Sequence, residues 1–506
     1  MYNYGMKDSS FELKPFILLF ALVLFISFCI DTTGETLKNP VYFFAFLSAA
    51  LVISVNYRIL KASNPDIVYI IITAGIILKL LYVLYTAVWT RQHDVIDFGV
   101  GEGHAGYIEY IYFNKSLPAG DPREKWAFFQ PPLHHIIAAL WMKIGNRFRL
   151  SYRQLQENIQ ALTLFYISAV NVISFFICRE LKLKKKGLLC AMLLISFHPV
   201  FVIMSGSINN DALSLFFMVL SFYLAILWNK KPSLRLILLL ALSIGLSMFA
   251  KLSGGLIAPA VGILFLVKLF KDRENRLKLL LQYLLFAVIV FPLGIGWEIR
   301  NMIRFGMPFN YIPPVGEQLQ RTDLISRLFD VRLHSVYPSM INNGDKYDEY
   351  NVFLAMLKTS LFDDERLSSE LGLIDPFAVV LFISGLFLVF ICLYATVRVL
   401  AGFRASYEKG EEGLTVELKL LLGVFYLTMV AAYLSFALGS ANYSAQSFRY
   451  IAAAVIIQAL FLGIYMGRRE ETEALGTGRG LKCVQALCVV FSAASACTYI
   501  LLGFAR

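Results

Sequence analysis

Apolar residues run along this chain in blocks, not in stripes. Stretches almost free of charge recur near 14–30, 40–57, 67–90, 159–178, 187–205, 212–228, 234–250, 256–270, 279–297, 376–397, 419–439, 448–466 and 483–503. At about 18 to 25 residues, a block of this kind crosses roughly 30 Å of hydrocarbon as a helix. Blocks that long without alternating polarity suit helices and not barrel strands, because backbone amides in lipid must pair within their own segment. The pattern predicts an all-α, polytopic transmembrane helix bundle of about thirteen spans. It divides into a two-span extension (1–66), a core (67–297) containing a first outer loop (91–158), a second long outer loop (298–375) and a C-terminal bundle (376–506).

Charge sets the orientation. With the N-terminus inside, the short inner connections carry 23 Lys and Arg residues and the short outer ones 2, the asymmetry that fixes topology in membranes. The net charge of +11 therefore does not call for a nucleic-acid partner, since clusters such as Lys184-Lys185-Lys186 sit at inner boundaries, where lipid headgroups face them. The bilayer is the expected partner. The seven cysteines fall in or beside the apolar blocks with no Cys-x-x-Cys pair, which speaks against a disulfide framework and a thiolate metal site. The first block has a mixed-charge leader and no small-residue cleavage pattern, as expected of a retained anchor.

Two outer loops are longer than crossing a membrane requires, and loops of that length usually carry function. The first opens with Arg91-Gln92-His93-Asp94-Val95-Ile96-Asp97, followed by Glu102 and His104. Residues 104–115 and the stretch after Trp126-Ala127-Phe128-Phe129-Gln130-Pro131-Pro132-Leu133-His134-His135 have the spacing of two interfacial helices lying flat on the outer leaflet. The prolines suit the first turn of the second helix. Asn209-Asn210-Asp211 forms the next outer connection, where Asp211 is either a functional carboxylate or a helix N-cap. Arg300, in Trp297-x-x-Arg300-Asn301, and Arg449, in Phe448-Arg449-Tyr450, stand at outer helix ends near phosphate depth, where snorkelling also explains an arginine. Lys79 is a basic residue deep in a span, and its long stem also permits snorkelling, so it stays outside the expected site.

These motifs, in order over roughly 67–465, resemble the polytopic glycosyltransferases of the dolichyl-phosphate-mannose protein mannosyltransferase type and the bacterial aminoarabinose transferases, which share the GT-C fold. The resemblance implies transfer of a sugar from a polyprenyl-phosphate donor to a protein, lipid or polysaccharide acceptor, with inversion at the anomeric carbon. It implies a first-loop aspartate as general base, which maps to Asp94. The chemistry asks for a positioned base and a stabilised phosphate, and Asp94 with Arg300 or Arg449 meets both demands. In the family a glutamate often follows the aspartate, whereas Val95 follows here, so Asp97 and Glu102 stay open beside Asp94. Asp97 shares the face of Asp94 if the segment is helical.

Asp211 matches a second acidic position of the aminoarabinose transferases. Arg91, His93, Glu102, His104, Gln130, His134, His135, Arg300, Arg449 and Tyr450 are the expected substrate-binding residues. One of His134 and His135 is expected against phosphate and the other against lipid headgroups. No cofactor is required by this reading. A divalent metal held by His93, Asp94, His104 and Asp211 is a secondary idea, because no metal-ligand spacing stands in the sequence. The expected location is a bacterial plasma membrane with the site facing outside. A multi-pass transporter or lipid flippase is the alternative, disfavoured because the chain shows no internal repeat and its polar groups lie outside the spans.

Overall fold

The computed structural model describes residues 15–17, 19–21, 67–183, 185–313, 319, 321–338, 349–364, 367, 372–402, 414–472 and 479–504. All regular structure among them is helical. The helices are α1 (Ile67–Tyr85), α2 (Gly103–Asn114), α3 (Leu133–Arg147), α4 (Tyr152–Glu157), α5 (Ile159–Glu180), α6 (Lys185–Phe197), α7 (Pro199–Gly206), α8 (Asp211–Lys230) and α9 (Leu234–Ala250). There follow α10 (Ala258–Lys271), α11 (Arg276–Phe305), α12 (Leu324–Phe329), α13 (Val352–Phe362), α14 (Ile374–Ala401), α15 (Val416–Gly439), α16 (Ala453–Thr472) and α17 (Arg479–Leu502).

Nine helical stretches among the described residues are long and apolar enough to cross a membrane, and a tenth is a bent pair, Tyr443–Ile451 with Ala453–Glu470, turned by 50°. The 17-residue α9 fills the remaining predicted block. Every block expected from residue 67 onward is thus a helix. The block near 40–57 lies outside the described residues, and the first is represented by a fragment at 15–21. The protein is an integral membrane protein with an all-α fold.

Burial grades across the bundle. α5 and α8 are enclosed along most of their length, whereas α11 turns Leu277, Leu284, Val288 and Phe291 outward, as a lipid-facing helix does at no cost in hydrocarbon. α8 packs on α5 and α9, α9 on α11, α6 on α16, and α14 on α17. Lys79, fully buried in α1, donates to the carbonyl of Ser196 at 2.7 Å and of Gly75 at 3.3 Å. It ties α1 to α6 and does not reach the interface.

The outer loops correct the sequence picture in three places. Residues 91–102 are irregular, with left-handed backbone at Arg91, Asp94 and Ile96, so Asp97 is not carried onto the face of Asp94. α2 forms where expected, but its first two turns are buried all round and only its end, at Phe113 and Asn114, is exposed. His104 and Glu109, expected on its polar face, are enclosed too, and Glu109 accepts from the amide of Gly99 at 2.8 Å and from the hydroxyl of Tyr152. α3 behaves as an interfacial helix, with Leu140 and Ile144 exposed and Ala138, Ala139 and Met142 against the core. Finally, α11 continues to Phe305, so Arg300 lies in its last two turns and not in a loop.

Candidate active site at one mouth of the bundle

The site is assembled by the irregular segment after α1. Its carbonyls at Asp94 and Val95 accept the amides of His104 and Ala105, at 2.9 and 3.0 Å, so the loop itself caps the start of α2. That close approach needs glycine: a Cβ on Gly103 would come within 2.1 Å of the Val95 oxygen, and one on Gly106 within 2.3 Å of Gly101. Gln92 pins the segment on its other side, donating to Gly206 O at 2.8 Å and accepting from Ile208 N at 3.0 Å. Asp94 is thereby held with its carboxylate 40% exposed and its backbone in the left-handed region, which aspartate tolerates better than most residues.

Arg449 comes to it from the opposite end of the chain. The turn at 448–451 is fastened to α13: Thr359 accepts from Phe448 N at 3.0 Å, and Tyr433 and Thr359 both donate to Gln446 O. The buried guanidinium donates from Nη2 to Asp94 Oδ2 at 3.1 Å and to the Tyr450 hydroxyl at 3.1 Å, while Nη1 stands 3.8 Å from Asp211 Oδ2. Its Nε and Nη1 have no hydrogen-bond partner. Asp211 opens α8, and its second oxygen accepts from Lys251. The carboxylate is therefore an ion-pair member, while the amide of Asp211 is satisfied by the Asn209 side chain at 3.1 Å. Tyr450 lies under both cations, 5.0 Å from Arg449 and 4.9 Å from Lys251.

Burial pushes the Asp94 carboxyl up, but Arg449, with His104, His93 and Lys251, outweighs it and holds the group down to about 2. On the other flank His93 donates to both oxygens of Asp363 at 2.8 Å, and its Nδ1 stands 3.4 Å from Asp364 Oδ2. Burial and Arg449 work against the imidazolium of His93, yet the two carboxylates keep its pKa above the ordinary value. Burial, supported by Asp363 and Asp94, raises Asp364 to about 6 against the pull of His93 and Arg449. A narrow cleft opens beside these groups. His93, Ser207, Asn209, Asp211, Asp363 and Arg449 give it polar walls, and Val200, Ile203 and Met204 of α7 give it an apolar one.

Of the residues singled out from sequence, Asp94, His93, Asp211, Arg449 and Tyr450 converge. Gln130 stands at the edge, accepting from Asn210 at 3.4 Å. His104, His134 and His135 are buried and uncharged: burial holds His104 down to about 3, His134 to about 4 and His135 well below its usual value. His104 and His135 share a 2.8 Å hydrogen bond edge to edge, and Tyr107 stacks on the face of His135. His134 bonds the Ile208 carbonyl at 2.7 Å. Neither member of the His134–His135 pair faces lipid headgroups.

Asp97 and Glu102 are exposed, and Glu102 does not cap α2. Arg91 forms no hydrogen bond or ion pair with the described residues. Arg300 stands apart, stacked on Trp297 at 4.3 Å and donating to Pro118 O at 2.9 Å and to Asn301 at 2.7 Å. The expected metal quartet does not converge either. Among the described residues His93, Asp363 and Asp364 are the group close enough for an ion.

Sequence reading missed Asp363, Asp364, Lys251 and Gln92. The available signal was two adjacent acids ending an apolar outer-loop stretch, and a lone lysine in an outer connection that otherwise carries no charge.

No curated protein matches the chain. The family model described as dolichyl-phosphate-mannose-protein mannosyltransferase matches residues 136–305, about a third of the chain. Among solved structures, ArnT from Cupriavidus metallidurans in the apo state is 12% identical, with 86% of this chain and 76% of that one covered and a TM-score of 0.48. The Archaeoglobus fulgidus oligosaccharyltransferase in complex with zinc and sulfate is 13% identical, with 85% and 53% covered and a TM-score of 0.47. The archaeal oligosaccharyltransferase AglB from Archaeoglobus fulgidus, in complex with an inhibitory peptide and a dolichol-phosphate, is 13% identical, with 86% and 55% covered and a TM-score of 0.51. This chain spans about half the length of the two archaeal chains. The expected GT-C-type fold is therefore the observed one, and over residues 136–305 the chain resembles the protein mannosyltransferases.

Proposed function

We propose that the protein is a membrane glycosyltransferase that moves a sugar from a polyprenyl-phosphate donor to an acceptor hydroxyl on the outer face. The observation that carries the reading is Arg449: a buried guanidinium with two unsatisfied nitrogens at a cavity wall, 3.1 Å from a loop carboxylate. The match to the mannosyltransferase model and the fold shared with a dolichol-phosphate-bound enzyme support it. In this reading the leaving phosphate accepts from a free nitrogen of Arg449, Nη1 or Nε, a charge-assisted hydrogen bond of the kind arginine is built for.

That contact also accounts for a weak-looking base. A carboxyl held at about 2 accepts a proton poorly. When donor phosphate draws Arg449 away, Asp94 loses its largest stabilising charge and its pKa rises toward the ordinary range. Asp94 then takes the proton of the acceptor hydroxyl as that oxygen bonds to the anomeric carbon, and the phosphate leaves with the bonding electrons from the opposite face, giving inversion. Asp211 and Lys251 hold the other side of Arg449.

Purified protein given polyprenyl-phosphate sugars and hydroxyl acceptors is expected to release polyprenyl phosphate. Absence of donor turnover with protein, lipid and glycan acceptors alike defeats the reading. The outward orientation has its own check. A cysteine at exposed Ser116 should react with an impermeant reagent applied to intact cells and one at exposed Arg273 should not, and reversed labelling puts the site on the wrong side.

A further inference from the structure

We propose that His93, Asp363 and Asp364 form a binding site for one divalent transition-metal ion of the zinc type, which fastens the first outer loop to the end of α13 beside the Asp94–Arg449 pair. One ligand atom from each residue lies within 4.8 Å of the others. A four-coordinate ion with bonds of about 2.0–2.2 Å holds neighbouring ligand atoms roughly 3.4 Å apart. The imidazole gives an ion one nitrogen only; its Nε2 lies 2.8 Å from Asp363 Oδ1 and its Nδ1 3.4 Å from Asp364 Oδ2, so either nitrogen stands at or inside that spacing from one carboxylate, with the other carboxylate within the same 4.8 Å group.

Two further observations point to a cation. Asp364 is 2% exposed, and its Oδ1 has no hydrogen-bond partner. An unpaired buried carboxylate oxygen is costly, and coordination satisfies it. Next, four carboxylates (Asp94, Asp211, Asp363 and Asp364) meet two fixed cations, Arg449 and Lys251, among the described residues. One dication balances the excess. Arg449 opposes a second cation in the same cavity, but its guanidinium is already engaged by Asp94 at 3.1 Å and faces Asp211 at 3.8 Å.

The donor set selects the ion. One imidazole with two carboxylates and no thiolate suits Zn²⁺ or Mn²⁺ better than Mg²⁺ or Ca²⁺, which favour oxygen alone. Three protein ligands leave one position of a tetrahedral ion open, and His93 and Asp363 both line the cavity. The competing arrangement puts a proton on His93 where the metal would go. Neither arrangement depends on the glycosyltransferase reading, so metal binding and donor turnover fail independently.

The test uses the full chain in detergent, stripped with a chelator and re-equilibrated with Zn²⁺ or, separately, Mn²⁺. Elemental analysis should find about one ion per chain. His93→Gln and Asp364→Asn should each weaken binding by at least about 100-fold, while Asp211→Asn, in the same acidic neighbourhood but outside the ligand set, should keep the ion. Wild-type protein that retains no metal, or variants that retain it fully, overturn the proposal. If the variants do not fold, X-ray absorption on the wild type decides: an imidazole nitrogen with oxygen neighbours upholds the site, and an oxygen-only shell overturns it.

Discussion

Arg300 and Arg449 present the same sequence credentials and meet different fates. Each stands at the end of a helix, with an aromatic residue within three positions and an apolar run nearby. Arg300 ends up as a structural clasp, its charge spread over the Trp297 and Phe305 rings and its donors used by the Pro118 carbonyl and Asn301. Arg449 is buried among carboxylates with two nitrogens unsatisfied. A guanidinium is positioned for anion chemistry when its neighbours neutralise it without consuming its donors. Position at a helix end, which the two share, does not separate them.

The sharpest way to break this comparison is to remove the carboxylate that only Arg449 meets. Asp94→Asn should lower kcat for transfer by about 10²–10⁴, the range of a lost general base, as read from polyprenyl-phosphate release. Retained activity removes Asp94 from the chemistry.

Arg449→Gln should cost about 10²–10³ in kcat/KM, as when a preorganised charge at the leaving group is removed. It should also move the acid limb of the pH profile. In the wild type Asp94 is held at about 2, below the usual carboxylate range. Without the guanidinium its pKa rises toward about 4 or above, so the limb shifts to higher pH. An unmoved limb uncouples the pair.

A smaller loss, about tenfold in kcat, is expected for Gln92→Ala, which frees the loop from the turn before α8 without touching the charges. If Gln92→Ala matches the wild type, its two hydrogen bonds do not position Asp94. Arg300→Gln should change transfer least, by only a few-fold, and show instead as a lower thermal midpoint in detergent, a cation–π contact being worth about 0.5–1 kcal/mol or more. Equal activity losses in Arg300→Gln and Arg449→Gln collapse the distinction between the two arginines.

The spans were legible because their signal is solvent chemistry: a block of apolar residues has one stable arrangement in hydrocarbon whatever its neighbours are. The positions of α2 and α3 in the first loop were readable for a related reason, local spacing with proline and glycine at the ends. The burial of α2 was not. Whether Glu109 or His104 faces water depends on what covers α2, and Tyr152, His135 and the 94–95 loop cover it.

Within the site, Asp94, Asp211 and Arg449 carried a signal as charges at outer helix ends. Lys251 and Asp363-Asp364 carry as much charge, but nothing in their local spacing says which partners they meet. The glycines at 103 and 106 hold the Asp94 loop against α2 by a close approach that no spacing rule reveals.

By itself, the sequence determined the solvent in which each segment lies and the helical class that follows. These depend on local composition and length. Only the tertiary structure decided which charges meet: Asp94 and Arg449 are 355 residues apart and His93 and Asp363 270. A charge's partner, exposure and free donors are set by distant backbone folded against it, and electrostatic energy depends on those separations and on the water excluded between them.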